Sequence, residues 1–203
     1  MAMIAVVGDV NRDDLLKILK ETFGRWPKSD GPAPAVSIPP LPSQAGQKLV
    51  LVDKPDATQA YFALGSPGFA QKDGIAVAAN IMNTLWGGRF TSWLSTELRI
   101  KRGLTYGASS SFQSWKNGGL FMASSYTRNE KIGEMLDITF DLLKKARDQG
   151  FSPEEIVSAK NYIIGQFPET LETNGSKASA YLRLIYYDLG FDYFDRYLAD
   201  IQA

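Results

Sequence analysis

The chain contains no histidine and no cysteine among its 203 residues. The first absence removes the Ser-His-Asp arrangement and every histidine-based zinc motif; the second removes disulfides, thiol catalysis and thiolate metal sites. Lack of cysteine leaves the compartment open between bacterial periplasm and cytoplasm, since proteins of both do without it. An excess of either charge is also missing. The 22 Lys and Arg balance 22 Asp and Glu without any block of like charge, so there is no basic footprint for nucleic acid or for an anionic membrane. No apolar run approaches the roughly 18 residues of a membrane span, and Met1-Ala2-Met3-Ile4-Ala5 lacks the basic region and cleavage site of a signal peptide. An exported form would have had its signal removed. Phosphate-binding signatures are absent, because Gly87-Gly88 and Gly103 to Gly107 fit neither G-x-G-x-x-G nor the P-loop. The run Asp9-Val10-Asn11-Arg12-Asp13 imitates the start of a calcium loop, but Asp14 and Lys20 stand where that loop needs glycine and a bidentate glutamate. It reads as a polar helix start, and no metal site is expected in this chain.

A chain of this length buries roughly 70% of its unfolded surface and folds as a globule. Residues 3 to 8 read as a short buried strand, and Leu15, Leu16, Leu19 and Phe23 then follow helical spacing to Gly24. Between Pro27 and Gly46 six of the ten prolines occur with glycines and small polar residues, a composition suited to a linker. The expected organisation is a strand-helix unit over 1–26, a proline-rich linker over 27–45 and an α+β domain over 46–203. In that domain, strands are expected at 48–53 and 57–64, helices at 72–86 and 91–101, and a hairpin of strands 104–115 and 119–127 around Asn117-Gly118. The remainder reads as helical: 130–149 closed by Gly150, a capping box with proline at Ser152-Pro153-Glu154-Glu155, a break at Pro168, then 176–189 and 191–202. Hairpins followed by runs of helices predict an α+β sheet-and-helix sandwich with antiparallel hairpins and a mostly helical C-terminal part. The aromatic set Tyr186, Tyr187, Phe191, Tyr193, Phe194 and Tyr197 has helical spacing, which favours packing over a binding surface.

Chemistry concentrates in Glu97-Leu98-Arg99-Ile100-Lys101-Arg102-Gly103-Leu104-Thr105-Tyr106-Gly107. Seven residues of uninterrupted helix would return to nearly the same face, but Gly103 breaks the helix. Arg99 is therefore expected in the last turn and Tyr106 at the start of the next strand, both facing one concave seam. A guanidinium and a phenol donate hydrogen bonds to a developing oxyanion, and neither attacks a carbonyl at neutral pH. The pair is half of a hydrolytic site. Gly87-Gly88 serves either to end a helix or to let a peptide backbone approach closely.

The stretch from Gly87 to Tyr106 resembles a hallmark of the insulinase or pitrilysin family of zinc metallopeptidases. The positions that carry the resemblance are Gly87-Gly88, Phe90-Thr91-Ser92, Leu94, Glu97-Leu98-Arg99, Lys101-Arg102-Gly103-Leu104 and Tyr106. Val6-Val7-Gly8-Asp9-Val10 before a helix, the proline-rich joint and Ala159-Lys160 extend it over nearly the whole chain. The resemblance implies repeated α+β domains, with zinc held by an inverted His-x-x-Glu-His motif and a later glutamate in the first, and an Arg and Tyr pair contributed by a later one. On that analogy Tyr106 donates to the tetrahedral oxyanion and Arg99 binds a backbone carbonyl of the peptide substrate, with Gly87 and Gly88 beside it. This chain departs from a full enzyme in lacking every zinc ligand and the general base. Zinc is then expected on another domain or on a partner subunit of the same family. Two readings follow: the non-zinc part of a composite peptidase, or a non-catalytic scaffold or peptide-binding subunit, with a homo-oligomer compatible with either. The resemblance also implies that residues 3 to 24 close one domain and that the next begins at 46, with its last strand after Ala203. Residues 3 to 8 are then expected to fill that place on the 46–203 sheet, in the same molecule or from a neighbour.

Overall fold

The computed structural model of the chain describes residues 2–27, 31 and 46–203. Most of the expected linker, 27–45, therefore lies outside the described residues. Three strands form one antiparallel sheet: β1 (Gln59–Pro67), β2 (Ala108–Trp115) and β3 (Gly118–Arg128), in the order β1-β3-β2. Alternation along each strand turns Phe62 of β1 and Ala123 of β3 toward the core and leaves Tyr61 exposed. In the β2–β3 hairpin β2 starts four residues later than expected, at Ala108, and the turn is displaced by one residue. Trp115 pairs with Gly118, so Lys116-Asn117 form the turn and the glycine joins β3. Asp188 is the sole non-glycine with positive φ among the described residues, so the turn is not the type that Asn-Gly favours. The observed register places Phe112 opposite Phe121 with ring centroids 4.9 Å apart. Because a slip of one residue would send a strand's side chains to the opposite face, this cross-strand packing overrides the turn preference.

Helices cover the inner face. α1 (Arg12–Phe23) starts at Asn11, whose side chain accepts from the amides of Asp13 and Asp14, confirming the polar helix start. α2 (Ala76–Asn83) widens into a π-helical turn, Thr84–Gly88, and α3 (Trp93–Ser95) into another, Thr96–Lys101. α4 (Ile132–Gln149) ends at Gly150, φ 69°, and α5 (Pro153–Gln166) starts in the expected capping box. A 3₁₀ segment, Phe167–Leu171, follows at Pro168, then α6 (Asn174–Tyr187) and α7 (Tyr193–Gln202). Phe62, Trp86, Leu94, Leu98, Ala123, Met135 and Leu142 form the core between the sheet and α2, α3 and α4. Complete burial of a side chain such as Leu98 contributes about 1.5–3 kcal/mol.

Two expected strands do not form. Residues 3–8 and 48–53 enter no ladder, and Leu49, Val50, Leu51 and Val52 are 68–88% exposed. A strand needs a neighbour for its backbone groups, and apolar alternation does not supply one. The placement of residues 3–8 on the sheet is likewise not seen. Of the aromatic set, Phe194 and Tyr197 pack with Phe167 and Tyr193 packs with both of them, whereas Tyr186 and Phe191 are exposed. Among the described residues no helix is long and apolar enough to cross a membrane.

Candidate functional site

The segment carrying Arg99 is positioned by its own buried stripe. Ser92 caps α3 by accepting from the Ser95 amide at 3.3 Å, and Leu94 and Leu98, four residues apart, are both fully buried. Trp93 fixes the outer side: its indole donates to Glu155 Oε1 at 2.6 Å, Phe151 packs 4.4 Å from its ring, and the Lys145 ammonium lies 4.1 Å over it. Glu155 also closes the capping box of α5 through the Ser152 amide, so one carboxylate ties the site helix to α5. The π-helical turn ends at Gly103, φ 59°, a left-handed conformation suited to glycine. Its amide donates to the Arg99 carbonyl at 3.1 Å and the Leu104 amide to the Leu98 carbonyl at 2.8 Å.

The chain then returns to the sheet through a loop held at both ends. Thr127 Oγ1 donates to the Leu104 carbonyl at 2.6 Å and Ser125 Oγ to the Gly107 carbonyl at 2.9 Å. Tyr106 projects between these anchors with 75% of its surface exposed. The structure brings the predicted pair together: the Arg99 guanidinium carbon lies 4.4 Å from the Tyr106 ring centroid. It also lies 4.7 Å from the ring of Phe90, to which sequence reasoning assigned no role. Phe90 lies in the turn between the π-helical turn after α2 and the N-cap Ser92.

Arg99 has no carboxylate partner among the described residues. The nearby Glu97 is occupied by Lys101 at 2.6 Å and Arg102 at 2.7 Å. The hydrogen bond from Lys101 is the chief cause that holds the Glu97 carboxyl below its ordinary value, against the opposing effect of partial burial. The two remaining predicted site residues lie in the π-helical turn after α2. A Cβ on buried Gly87 would collide with Ser110 Oγ and stand 2.9 Å from the Ser110 amide. A Cβ on exposed Gly88 would stand 2.7 Å from Asn83 Nδ2 and 2.9 Å from the Asn83 carbonyl. Both glycines thus admit close approach within the chain, at the point where the helix ends in extended Arg89. Neither hydrogen-bonds to Arg99 or Tyr106.

Among the described residues no three His, Cys, Asp or Glu side chains are grouped to hold a metal. The site offers a guanidinium, a phenol and a phenyl ring, a set unsuited to zinc. A cavity of about 1380 Å³, lined in part by Gly88, opens between β2, α2 and the C-terminal helices, its walls joined by Asn80 to Tyr197 at 2.7 Å and Arg183 to Gln71 at 2.8 Å. Arg99 and Tyr106 do not line it.

Residues 2–163 match the family described as the peptidase M16 inactive domain. The chain is 28% identical over 181 residues to an uncharacterized zinc protease of Streptomyces coelicolor, covering 86% of this chain and 38% of that protein. It is 26% identical over 183 residues to the zinc protease PqqE of Helicobacter pylori, covering 89% of this chain and 41% of that one. This chain therefore spans about two fifths of the length of such relatives. Among solved structures, a protease from Helicobacter pylori superposes with a TM-score of 0.82 at 24% identity, covering 95% of this chain and 48% of that one. The peptidase M16 inactive domain from Pseudomonas fluorescens gives 0.67 at 26% identity, covering 72% of this chain and 35% of that one.

Proposed function

We propose, from the premise that the chain belongs to the peptidase M16 inactive-domain family, that it contributes the non-zinc half of a composite peptide-hydrolysing site. In this reading the Tyr106 phenol donates a hydrogen bond to the oxyanion of the tetrahedral intermediate, and the Arg99 guanidinium donates to a backbone carbonyl of the bound peptide. The observation that carries it is the state of Arg99, a cation without a counter-ion among the described residues, held against the ring of Tyr106 beside an anchored loop. A donor aimed outward and free of internal acceptors is available to a ligand. The exposure of Tyr106 suits a site completed by a second surface, since exclusion of water on closure strengthens each of these bonds. Gly87 is buried against Ser110, so the exposed backbone of Gly88 is the part able to meet a peptide.

Names of the relatives support zinc in the complete protein, and in this reading another domain or a partner subunit holds it. That part would also supply the general base. The test is kinetic, in the complete enzyme. Tyr106→Phe should lower kcat roughly 100-fold with little change in peptide affinity, the loss expected for one oxyanion donor. Arg99→Ala should weaken peptide binding as well, because a carbonyl contact is made in both ground and transition states. Wild-type kinetics in both variants would leave the alternative, a scaffold or peptide-binding subunit, in which the cation stacked on exposed aromatic rings serves only to grip its partner.

A further inference from the structure

We propose that Phe90 is a positioning residue for Arg99, its ring lying, like that of Tyr106, against the guanidinium. The inference rests on the reading that Arg99 meets a substrate oxygen, and it adds the residue that determines how the oxygen must approach. The guanidinium carbon stands 4.7 Å from the Phe90 ring and 4.4 Å from the Tyr106 ring. No ring contact joins Phe90 to Tyr106. The guanidinium carbon thus lies against both rings, which do not contact each other.

Phe90 is itself 59% exposed and, among the described residues, packs against no other aromatic ring; the Arg99 cation is what lies over its face. Its backbone is fixed on both sides. Arg89 donates to the Ser158 carbonyl at 3.3 Å and to Ser158 Oγ at 3.1 Å, and the Ser92 amide donates to the Arg89 carbonyl at 3.0 Å. With two rings against it, the guanidinium keeps its N–H groups for a ligand, since no residue described here accepts from them. A planar oxygen acceptor, the carbonyl of an extended peptide or a carboxylate, is taken edge-on. A lysine at this position would have no plane to orient. The rings also restrict a long side chain before substrate arrives, which reduces the ordering required on binding.

The test has one arm on the chain alone and one on the complete enzyme. In the isotopically labelled chain, the Arg99 Nε–Hε resonance is identified by its loss in Arg99→Lys. It should move downfield in Phe90→Ala and in Phe90→Leu, as the ring current is lost, and stay near the wild-type position in Phe90→Trp. Tyr106→Phe keeps its ring and should leave the resonance in place. In the complete enzyme Phe90→Ala should raise KM about two- to five-fold with kcat nearly unchanged, and Phe90→Trp should restore it. Phe90→Leu separates the roles, because leucine preserves apolar bulk and should not rescue KM if the aromatic face is what matters. An unmoved Arg99 resonance in a folded Phe90→Ala chain overturns the proposal. So does rescue of KM by leucine. If the resonance behaves as expected while Arg99→Ala and Tyr106→Phe leave turnover and KM untouched, the positioning stands and the peptidase reading fails.

Discussion

Glu97 and Arg99 stand two residues apart on one π-helical turn, and the charges around them are arranged in opposite ways. Glu97 draws Lys101 and Arg102 into a compact cluster in which three charged groups satisfy one another. Arg99 has no counter-ion among the described residues and lies against Phe90 and Tyr106. Partly exposed pairs such as those of Glu97 contribute only about 0–1 kcal/mol each, so stability is a minor result of the cluster. Its larger consequence is that Glu97, two residues from Arg99 in the chain, is already occupied. Basic residues crowded on a helix end therefore divide into a solvated face and a potential ligand group, and the partner of each charge decides which it is.

The largest expected effect comes from removing what holds both arrangements in place. Leu98→Ala deletes a fully buried side chain between Glu97 and Arg99 and should destabilise the chain by about 2–5 kcal/mol in urea unfolding, with loss of both networks in the unfolded fraction. A loss below about 1 kcal/mol would mean that the turn is not anchored by the core. The contrast between the two charge sets is sharpened by Lys101→Ala and Arg102→Ala in the complete enzyme. Each should leave kcat/KM within about two-fold of wild type, while Arg99→Ala reduces it by considerably more. Equal losses at all three positions would reduce the site to a diffuse positive patch.

The smallest effect is one of pH. The Glu97 carboxyl is held below its ordinary value of 4.5 in the folded chain. A depressed folded value means that its stabilisation is fully present above the unfolded value and is lost as pH falls through the folded one. Below about pH 4.5 the wild type should therefore lose an increment, no greater than about 1 kcal/mol, that Glu97→Gln lacks throughout. Parallel acid-unfolding curves would show that the cluster does not favour the ionised carboxylate.

The elements most legible in the sequence are those whose cause is local. Ser152 and Glu155 carry the capping box of α5 within four residues, and Gly103 and Gly150 take the left-handed conformations that end their helices. The convergence of Arg99 and Tyr106 follows from such a local break together with the next strand. Strands depend on partners remote in sequence, and there the reading holds only in part, for β1, β2 and β3 form but two other expected strands do not. Leu49 to Val52 has strand composition and stays exposed, and the turn at Lys116-Asn117 is displaced because Phe112 and Phe121 set the register. Phe90 was missed for a related reason. Its partner is nine positions further along, across a turn widened by π-helical geometry, and no 3.6-residue periodicity links the two.

The most direct test of the central claim is peptide turnover by the zinc-bearing part of the complete protein, or by its zinc-bearing partner subunit, measured with and without this chain. This chain alone should show no turnover, and its addition should bring the zinc-bearing part to full activity, with the Tyr106→Phe chain supporting roughly 100-fold less. Turnover by this chain alone, or a zinc-bearing part equally active without it, would contradict the claim.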